Sequence, residues 1–416
     1  MKFAIIGGGA SGMITAYYLS KQGHTVSVFE KQAMLGGHIR TVNKNIKNPN
    51  IPQNLILEGG VVEFSSNFKH FLSLMDELNV SLEPLNVGSA IFKRNKKRFL
   101  SPSVITGNIK GLALIAEFFK LAYVYLSANW LLLQIYFKPS SSLIGKPFAD
   151  YVTKHQVRNT WLKLFTMYCF SIPYKAITKI PAELAFNIFR RYFWADWKRI
   201  DGGVYSYIEK IERRLKGKVI LNANIKTVIR SYSGVTLHFA DDSSEHFDKL
   251  VLAVPPDQVL RLISEPTASE VKHFSPWQAN IAKTVLHRDA LVYPRFGINQ
   301  PSEFDFFQTQ AGWGYNASLT RICNLPPKPQ YSLAYNIENL IAEQNILQTF
   351  EHHTPLYSVD AFRYRRNIID NNGANHTYHV GAYLYDGLHE GAVLSAKKVA
   401  KLVKNLETKE HEANSK

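Results

Sequence analysis

The sequence predicts an α/β fold built on a Rossmann-like dinucleotide-binding domain, and the evidence lies at its amino end. A short apolar run at 2–6 leads directly into a glycine turn at 7–12. A helical pattern from Met13 to Lys21 follows, then a second apolar run from Thr25 to Phe29 that ends at an acid, Glu30. Strand, glycine turn, helix, strand and acid in this order form the G-x-G-x-x-G fingerprint in its full βαβ context.

The residues of the glycine turn have separate roles in this fingerprint. Gly7 allows the tight turn, Gly9 lets the backbone approach a pyrophosphate, and Gly12 lets helix and strand pack closely. Ala10 and Ser11 open the helix, so the phosphates are expected at its N-terminus, where free N–H groups and the helix dipole favour negative charge.

The acid at the end of the second strand completes the nucleotide site. Glu30 follows Gly12 by 18 residues and is placed to accept hydrogen bonds from an adenosine ribose, with Lys31 beside it. The sequence therefore predicts a dinucleotide cofactor.

A second glycine pair identifies the class of cofactor. Gly36 and Gly37, followed by His38, resemble a block of the flavoprotein superfamily of amine oxidases, protoporphyrinogen oxidases and carotenoid desaturases. In that superfamily the pair lies against the FAD pyrophosphate, so the resemblance implies FAD rather than NAD. Most members carry Arg directly after the glycines, whereas this chain has Arg40 two residues further on. The Gly-Gly-His variant is similar to a bacterial subgroup described as predicted NAD/FAD-binding proteins.

Later segments extend the resemblance along most of the chain. Gly59 and Gly60 resemble a block whose backbone passes near the isoalloxazine ring of FAD. The position of Ile225 resembles one at which a backbone group of the relatives contacts the adenine side of FAD. Gly381 precedes Ala382, where many relatives have an acid that holds the ribityl chain. That contact is then expected from another group.

A predicted helix from Val393 to Leu406 follows a further block, Glu390-Gly391-Ala392. Relatives place the N-terminus of this helix against the flavin O2 side, where its dipole stabilises negative charge on the reduced ring.

The resemblance also implies the domain organisation. The FAD-binding domain is assembled from three stretches, 1–85, 200–265 and 370–406. A discontinuous α+β substrate domain is formed by 86–199, which is predicted to be largely helical, and by 266–369, which is predicted to form a sheet over the flavin. The charged tail 407–416 is predicted to be disordered.

The positive charge of the chain is concentrated in the first insertion. Of a formal net charge of +16, residues 86–200 contribute 18 Lys plus Arg against 4 Asp plus Glu, a net +14. Nucleic acid is one partner for such a surface, but the recognised nucleic-acid modules are not found beside it. An anionic membrane surface fits better, at about 1 kcal/mol per Lys or Arg near the headgroups.

The segment 110–137 has two interpretations. It is strongly apolar and aromatic, and its uninterrupted part, 121–137, would be about 25 Å long as a helix, short of the roughly 30 Å hydrocarbon core. A transmembrane span is therefore marginal. An interfacial helix and a buried substrate-domain helix both remain open, because periodicity does not separate them.

Four side chains are catalytic candidates. Relatives often hold a water near flavin N5 with a Lys from a substrate-side strand, and Lys283 is the first match for it. His287, with Asp289 as orienter, would act as a base on the same face. Tyr383 resembles one wall of the aromatic pair of amine-oxidising relatives, and His389 lies at the flavin-side helix start. For Lys283, His287 and Asp289 the alternative interpretation is that they are solvated polar residues of a strand without a catalytic role.

Three functional hypotheses follow. The first is a peripheral-membrane FAD enzyme that dehydrogenates or isomerises a hydrophobic substrate such as a lipid acyl chain. The second is a soluble amine oxidase that releases hydrogen peroxide, and the third is a non-catalytic FAD-containing lipid-binding protein. Two cysteines without metal or redox spacing, and a first strand that begins at residue 2, predict a cytoplasmic protein. The basic excess beside the apolar segment 110–137 favours peripheral attachment to the inner face of the membrane.

Overall fold

The computed structural model describes residues 1–94, 98–137, 139–152 and 157–414. The strands are β1 Lys2–Ile6, β2 Thr25–Phe29, β3 Thr41–Val42, β4 Leu57–Glu58, β5 Phe64–Ser65, β6 Leu82–Leu85, β7 Ile91–Phe92, β8 Arg98–Phe99, β9 Trp197–Ile200, β10 Gly217–Ile220, β11 Ile225–Ser231, β12 Gly234–Phe239, β13 Ser244–Phe247, β14 Lys249–Leu252, β15 Gln278–His287, β16 Phe304–Gln308, β17 Trp313–Ser318, β18 Ser332–Tyr335, β19 Ile346–Leu356 and β20 Thr377–His379. The α-helices are α1 Ala10–Lys21, α2 Lys69–Glu77, α3 Pro102–Asn108, α4 Leu112–Tyr136, α5 Val157–Phe170, α6 Ala182–Tyr192, α7 Tyr205–Glu212, α8 Val259–Leu262, α9 Ala268–Phe274, α10 Leu319–Ile322, α11 Val359–Phe362, α12 Arg365–Asp370 and α13 His389–Asn414.

A five-stranded parallel sheet forms the centre of the nucleotide-binding half. Its order is β10-β2-β1-β14-β20, so β1 lies in the middle with β2 on one side and β14 on the other. The first strand is buried from Phe3 to Ile6 because α1 and β13 pack against it and strands flank it on both sides, which explains its continuous apolar sequence. The predicted strand–helix–strand unit at the amino end is confirmed.

A seven-stranded sheet, which we call the substrate sheet, forms the other half. Its order is β19-β15-β18-β17-β16-β7-β8, and its neighbours are antiparallel except for the parallel pair of β16 and β7. The parallel sheet draws its strands from the three predicted FAD stretches, and the substrate sheet draws its strands from the two predicted insertions. Helices α3–α6 occupy the first insertion, as its sequence predicts.

The last helix corrects the predicted tail. Helix α13 continues without a break from His389 to Asn414, so the segment from 407 to 414 is helical and not disordered. The final two residues of the tail lie outside the described part of the chain.

Helix α4 lies largely on the surface. Its buried side chains are confined to the second half of the helix, at Val124, Ala128, Leu131, Leu132 and Ile135. Its large exposed side chains are Leu112, Ile115, Phe119, Tyr123, Tyr125, Leu126, Trp130, Leu133 and Tyr136. The interpretation of 110–137 as a buried helix is therefore wrong.

Candidate active site

The two predicted glycine turns meet at the carboxyl end of β1. The Gly36 amide donates to the Gly8 carbonyl at 2.9 Å, and a Cβ built on Gly9 would lie 3.6 Å from the Gly37 Cα. Gly9 also caps α1, and it has no side chain to fill the space before the first turn of that helix. The glycines thus leave a cradle of bare backbone at a helix N-terminus, which suits a pyrophosphate.

Close packing explains the other two fingerprint glycines. A Cβ on Gly7 would lie 2.5 Å from the Ala253 carbonyl oxygen at the end of β14. A Cβ on Gly12 would lie only 1.9 Å from the Gly7 carbonyl oxygen. Because α1 is pressed against the turn in this way, Gly12 tolerates no side chain.

The acid after β2 is buried and holds the first turn in place. Glu30 Oε2 accepts from the Gly8 amide at 2.8 Å, and its Oε1 accepts from the Gln32 amide at 2.9 Å. Lys31 beside it is exposed. Behind these residues the Ala223 amide donates to the Glu30 carbonyl at 2.9 Å, which brings the start of β11 at Ile225 to this end of the site.

Arg40 reaches the same acid end and was not among the predicted site residues. Its guanidinium is buried, donates to the Gln32 side chain at 2.8 Å and interacts electrostatically with Glu30. The sequence signal that could have identified it is its position, two residues beyond the Arg that most members of the superfamily carry after the second glycine pair. The guanidinium offers a positive charge within the nucleotide end of the site.

Gly59 and Gly60 lie where the nucleotide-binding half meets the substrate sheet. The Gly59 carbonyl accepts from the Thr284 hydroxyl at 2.7 Å and lies 3.1 Å from His352 Nε2. A Cβ on Gly60 would lie 2.1 Å from the His38 carbonyl oxygen. The glycine pairs at 36–37 and 59–60 therefore lie next to each other in the structure.

Side chains at this junction enclose an internal space. Burial lowers the pKa of His38, yet its side chain remains accessible to solvent, and its Nε2 lies 2.8 Å from the His353 carbonyl. Tyr168 and Cys169 are likewise partly accessible, although burial raises the pKa of both well above its ordinary value. These three partly accessible side chains line a recess where the nucleotide-binding half meets the substrate sheet, which we call the internal cavity.

The strand that carries the first catalytic candidate has the opposite register from the one predicted. In β15, Asn280, Ala282 and Thr284 are buried, whereas Ile281 and Lys283 are exposed. Alternation along a strand therefore turns Thr284 toward Gly59 and turns Lys283 away from it. The role predicted for Lys283 at the flavin is wrong by one residue.

His287 shares the face of Lys283, as predicted, but at His287 that face is buried in the core. Its Nε2 lies 2.8 Å from the Asn316 side-chain oxygen, and its Nδ1 accepts from the Asp289 amide at 3.2 Å. The Asp289 carboxylate accepts from the amides of Leu291 and Ala342. Both groups bond within the protein on the face away from Gly59, so a catalytic base at His287 is not supported.

Groups in the first turn of α13, near residue 389, also form hydrogen bonds within the protein. The Glu390 carboxylate accepts from the amides of His70 and Phe71 and so caps α2. The Gly391 amide donates to Asp386 at 2.8 Å, and the Ala392 amide donates to the Leu388 carbonyl at 3.1 Å. The Glu390 carboxylate and these two amides, in residues predicted as cofactor contacts, therefore all have partners within the protein.

Gly381 and His389 have packing roles in the structure. The Gly381 amide donates to the Ser395 hydroxyl at 3.1 Å, and a Cβ there would lie 2.3 Å from the Tyr383 ring. His389 lies edge-on to Phe64 and Phe71, and burial lowers its pKa to about 3. A neutral imidazole among aromatic rings is a poor proton donor, so the structure does not favour His389 as a catalytic acid.

Tyr383 has the aromatic neighbour that the sequence did not reveal. Its ring packs edge-on against Trp277 at 5.3 Å, and Trp277 packs against Tyr357 at 5.8 Å. Phe170 contacts Tyr357 in turn at 4.9 Å. This aromatic cluster joins the end of α5 to the segment before α13, so it lies between the two halves of the molecule.

A row of side chains crosses the substrate sheet on the Gly59 face. Thr284 is paired with Tyr335, Tyr335 with Tyr315, and Tyr315 with Phe306. The Tyr315 and Tyr335 rings are stacked at 5.4 Å. Since directly paired residues point to the same face of a sheet, these side chains form a buried aromatic row that leads away from Gly59, which we call the aromatic floor.

Comparisons with known proteins agree with this site. Residues 10–286 match the model of the family of flavin containing amine oxidoreductases. The chain belongs to this family. It is an FAD-dependent oxidoreductase, and the cradle, the buried Glu30 and the internal cavity are the features of the chain that fit FAD.

Solved structures of other flavoproteins share the whole fold. Putrescine oxidase bound to putrescine superposes with a TM-score of 0.67 at 15% identity, covering 97% of this chain and 99% of that one. A fatty acid isomerase from P. acnes that produces CLA gives a TM-score of 0.69 at 15% identity, with 96% and 98% covered. Cyclohexylamine oxidase from Brevibacterium oxydans gives 0.67 at 15% identity, with 98% and 99% covered.

Relatives found by sequence match only short segments. Achacin from Lissachatina fulica is 34% identical over 98 residues, which are 24% of this chain and 17% of achacin. Thiamine thiazole synthase from Pyrococcus horikoshii is 56% identical over 36 residues, 9% of this chain and 14% of the synthase.

Proposed function

We propose that this FAD-dependent oxidoreductase works at a membrane surface and dehydrogenates or isomerises a hydrophobic substrate, such as a lipid acyl chain. The observation that carries the proposal is the exposed apolar face of α4. Phe119, Tyr123 and Trp130 are 72%, 69% and 63% exposed along it. A contiguous apolar surface of this kind is unusual on a soluble monomer and marks an interaction site.

The charge around this face supports an anionic membrane as the partner. The net +14 of residues 86–200 lies in the same insertion as α4. Lys110 just before α4 is exposed, as are Lys146, Lys175 and Lys179 in the segments that follow it. Anionic headgroups attract such side chains while the aromatic residues enter the interface.

Packing favours a helix that lies on the membrane over one that crosses it. By length and composition α4 can cross a membrane, since its 25 residues extend about 37 Å. Its second half, however, packs through Leu131, Leu132 and Ile135 into the main core of the protein. A span would have to pull these side chains out of that core, which supports peripheral attachment, on the inner face of the membrane in a cytoplasmic protein.

The cavity lining is consistent with a hydrophobic substrate. The buried aromatic floor of Phe306, Tyr315 and Tyr335 lies next to this recess, and the Thr284 hydroxyl ties the floor to the Gly59 carbonyl. FAD, when bound, would supply the hydride acceptor for this chemistry. The protein then has to orient the chain along the floor, exclude water and take up the accompanying proton.

Removing the exposed aromatic residues of α4 should abolish membrane binding. Each buried aromatic side chain contributes roughly 1.5–3 kcal/mol, so Phe119→Ser/Tyr123→Ser/Trp130→Ser should weaken binding more than about 100-fold. Co-sedimentation with vesicles of phosphatidylcholine and phosphatidylglycerol measures this. Added salt or omission of phosphatidylglycerol should weaken the wild type.

The matched control removes exposed apolar side chains elsewhere on the surface. Ile229→Ser/Tyr232→Ser/Leu291→Ser replaces residues that are 45%, 97% and 60% exposed, and it should bind vesicles like the wild type. In the same vesicles, linoleoyl lipid should bleach the flavin anaerobically in the wild type and not in the α4 variant. Equal vesicle binding by the α4 variant and the wild type would overturn membrane attachment through α4.

An amine substrate is the second candidate, favoured by the stacked Tyr315 and Tyr335 rings. Aromatic faces attract ammonium groups, and the buried Glu63 lies behind them. Putrescine oxidase and cyclohexylamine oxidase are among the similar structures. Flavin bleaching and hydrogen peroxide release with putrescine, and none with lipid, would decide for this function. Tight lipid binding without flavin reduction by either probe would indicate the third hypothesis, a non-catalytic lipid-binding protein.

A further inference from the structure

Glu63 is an enclosed carboxylate to which the site described above assigns no part in the reaction itself. It follows Gly59 by four residues and is 7% exposed. Its Oε2 accepts a hydrogen bond from the Tyr168 hydroxyl at 2.5 Å. Among the described residues it takes part in no ion pair, so a cation does not compensate its charge.

Tyr168 connects this carboxylate to the cavity. It lies in the last turn of α5 and is partly accessible to the internal space. Its ring meets Tyr315 edge-on at 5.0 Å and lies 4.8 Å from Phe304. The hydroxyl therefore stands between the aromatic floor and the carboxylate.

The aromatic floor links this pair to Gly59. From Thr284, which bonds to the Gly59 carbonyl, the row passes through Tyr335 to Tyr315. Two strand spacings of about 4.8 Å each separate Thr284 from Tyr315. Tyr168, whose ring meets Tyr315, thus lies about two strand spacings from the Thr284 contact with Gly59, which places its partly accessible side chain close to that end of the site.

The surroundings of Glu63 favour a proton acceptor that works near neutral pH. Burial raises its pKa to about 7, and the Tyr168 hydrogen bond lowers it only in part. The titratable groups that interact with Glu63 are Tyr168 and Cys169 on α5, Tyr192 on α6 and Tyr315 on β17. Burial raises the pKa of each of these, so they stay neutral, and Glu63 is the group among them that changes charge near pH 7.

We propose that Tyr168 and Glu63 form the proton-accepting pair of the oxidative reaction. The bond between the substrate and its departing proton breaks as that proton forms a new O–H bond at the Tyr168 oxygen. The original Tyr168 proton passes to Glu63 Oε2, giving a neutral carboxylic acid. The electron pair leaves separately with the hydride to the family's FAD, so the relay itself carries only protons. Tyr168 touches the substrate, and Glu63 acts through it. The proposal rests on the family's flavin chemistry and applies to lipid and amine substrates alike.

The test compares Glu63→Gln and Tyr168→Phe with a matched carboxylate control. Asp305→Asn removes a buried acid of the substrate sheet, whose pKa burial also raises to about 7. Asp305 accepts from the Ala90 and Ser302 amides on the face away from Gly59. Wild type and variants are purified with FAD, and anaerobic flavin reduction is followed across pH with linoleoyl lipid and with putrescine.

The wild-type rate of flavin reduction, plotted against pH, should have a rising limb centred near pH 7. Glu63→Gln should lose that limb and slow at least roughly 100-fold at pH 8, since positioned bases typically contribute this much. Tyr168→Phe should slow similarly, whereas Asp305→Asn should keep the limb. A Glu63→Gln enzyme with the wild-type rate and limb, or loss of the limb in Asp305→Asn, would overturn the proposal.

A substrate-free measurement separates this proposal from the proposed function. In the wild type, the infrared C=O stretch of protonated carboxylic acids should disappear as pH rises through about 7. The part of this band that comes from Glu63, the Glu63 share, should be missing in Glu63→Gln. If that share is absent from the wild type, the relay is wrong whatever the substrate. If the band titrates and only putrescine reduces the flavin, the relay stands and the lipid function fails.

Discussion

FAD binding is expected to be lost when Gly12 is replaced by alanine. The helical backbone at Gly12 would ordinarily gain about 1 kcal/mol from alanine, yet the new Cβ would lie 1.9 Å from the Gly7 carbonyl oxygen. Helix α1 must therefore move off the turn, which carries its N-terminus away from the phosphates. The purified variant should contain less than about a hundredth of the wild-type FAD, measured by absorbance and by isothermal titration of the apoprotein, because the helix N-terminus is the phosphate site.

Two other glycine variants give this prediction its controls. Gly9→Ala places its Cβ 3.6 Å from Gly37, an ordinary contact, so the apoprotein should fold as the wild type does and still bind FAD weakly. Gly23→Ala has open space around it but a φ of +94°, so it should lose roughly 1–2 kcal/mol of stability and keep its FAD. Normal FAD content in Gly12→Ala would show that the turn is not the phosphate site.

A large loss of stability is expected when Arg191 is replaced by methionine. Arg191 Nε lies 2.9 Å from Asp386 Oδ2, and the Asp386 side chain is completely buried. Asp386 also accepts from the Leu388 and Gly391 amides at the start of α13. Removing the arginine leaves a buried carboxylate without its cation, which typically costs about 3–5 kcal/mol in the free energy of unfolding.

The pH dependence of that loss follows from the direction of the Asp386 pKa. Burial already raises this pKa, and Arg191 lowers it, so the variant should have a still higher value in the folded state. A raised folded pKa makes its stability contribution fully present below the unfolded pKa and progressively lost as pH rises through the folded value. Urea unfolding should therefore show a larger deficit at pH 8 than at pH 5.

The neighbouring arginine provides the control. Arg190 donates to the Ile135 carbonyl at 3.4 Å and has no ion pair among the described contacts. Arg190→Met should therefore change stability by less than about 1 kcal/mol at either pH. Equal losses in the two variants would show that Asp386 does not depend on Arg191.

The nucleotide site could be predicted from sequence because its parts are local. The turn at 7–12 sits between a strand and a helix that are adjacent in the chain, and Glu30 ends the next strand. Each glycine there meets a backbone group within the same small unit, or the equivalent end of a neighbouring parallel strand. Backbone geometry that requires glycine therefore marks the sequence directly, and the resemblance of the second glycine pair added the identity of the cofactor.

The catalytic side was mispredicted where the answer depended on pairing between distant strands. Lys283 and Thr284 are adjacent and both polar, and a shift of one residue exchanges the two faces of a strand. Only the pairing of β15 with β18 and β19 decides which of them faces Gly59. The Glu390 carboxylate likewise had a partner, the start of α2, that is 319 residues away in sequence.

The sequence by itself determined the parallel nucleotide-binding fold, the family, the FAD cofactor and the concentration of positive charge around an apolar segment. These properties follow from short-range patterns, in which glycines, strand periodicity and composition act within a few residues. Tertiary structure alone decided that α4 exposes its aromatic face, that Thr284 and not Lys283 contacts Gly59, and that Tyr168 meets Glu63 beside two stacked tyrosines. Those contacts join residues far apart in the chain, and a side chain's environment is set by whichever elements pack against it.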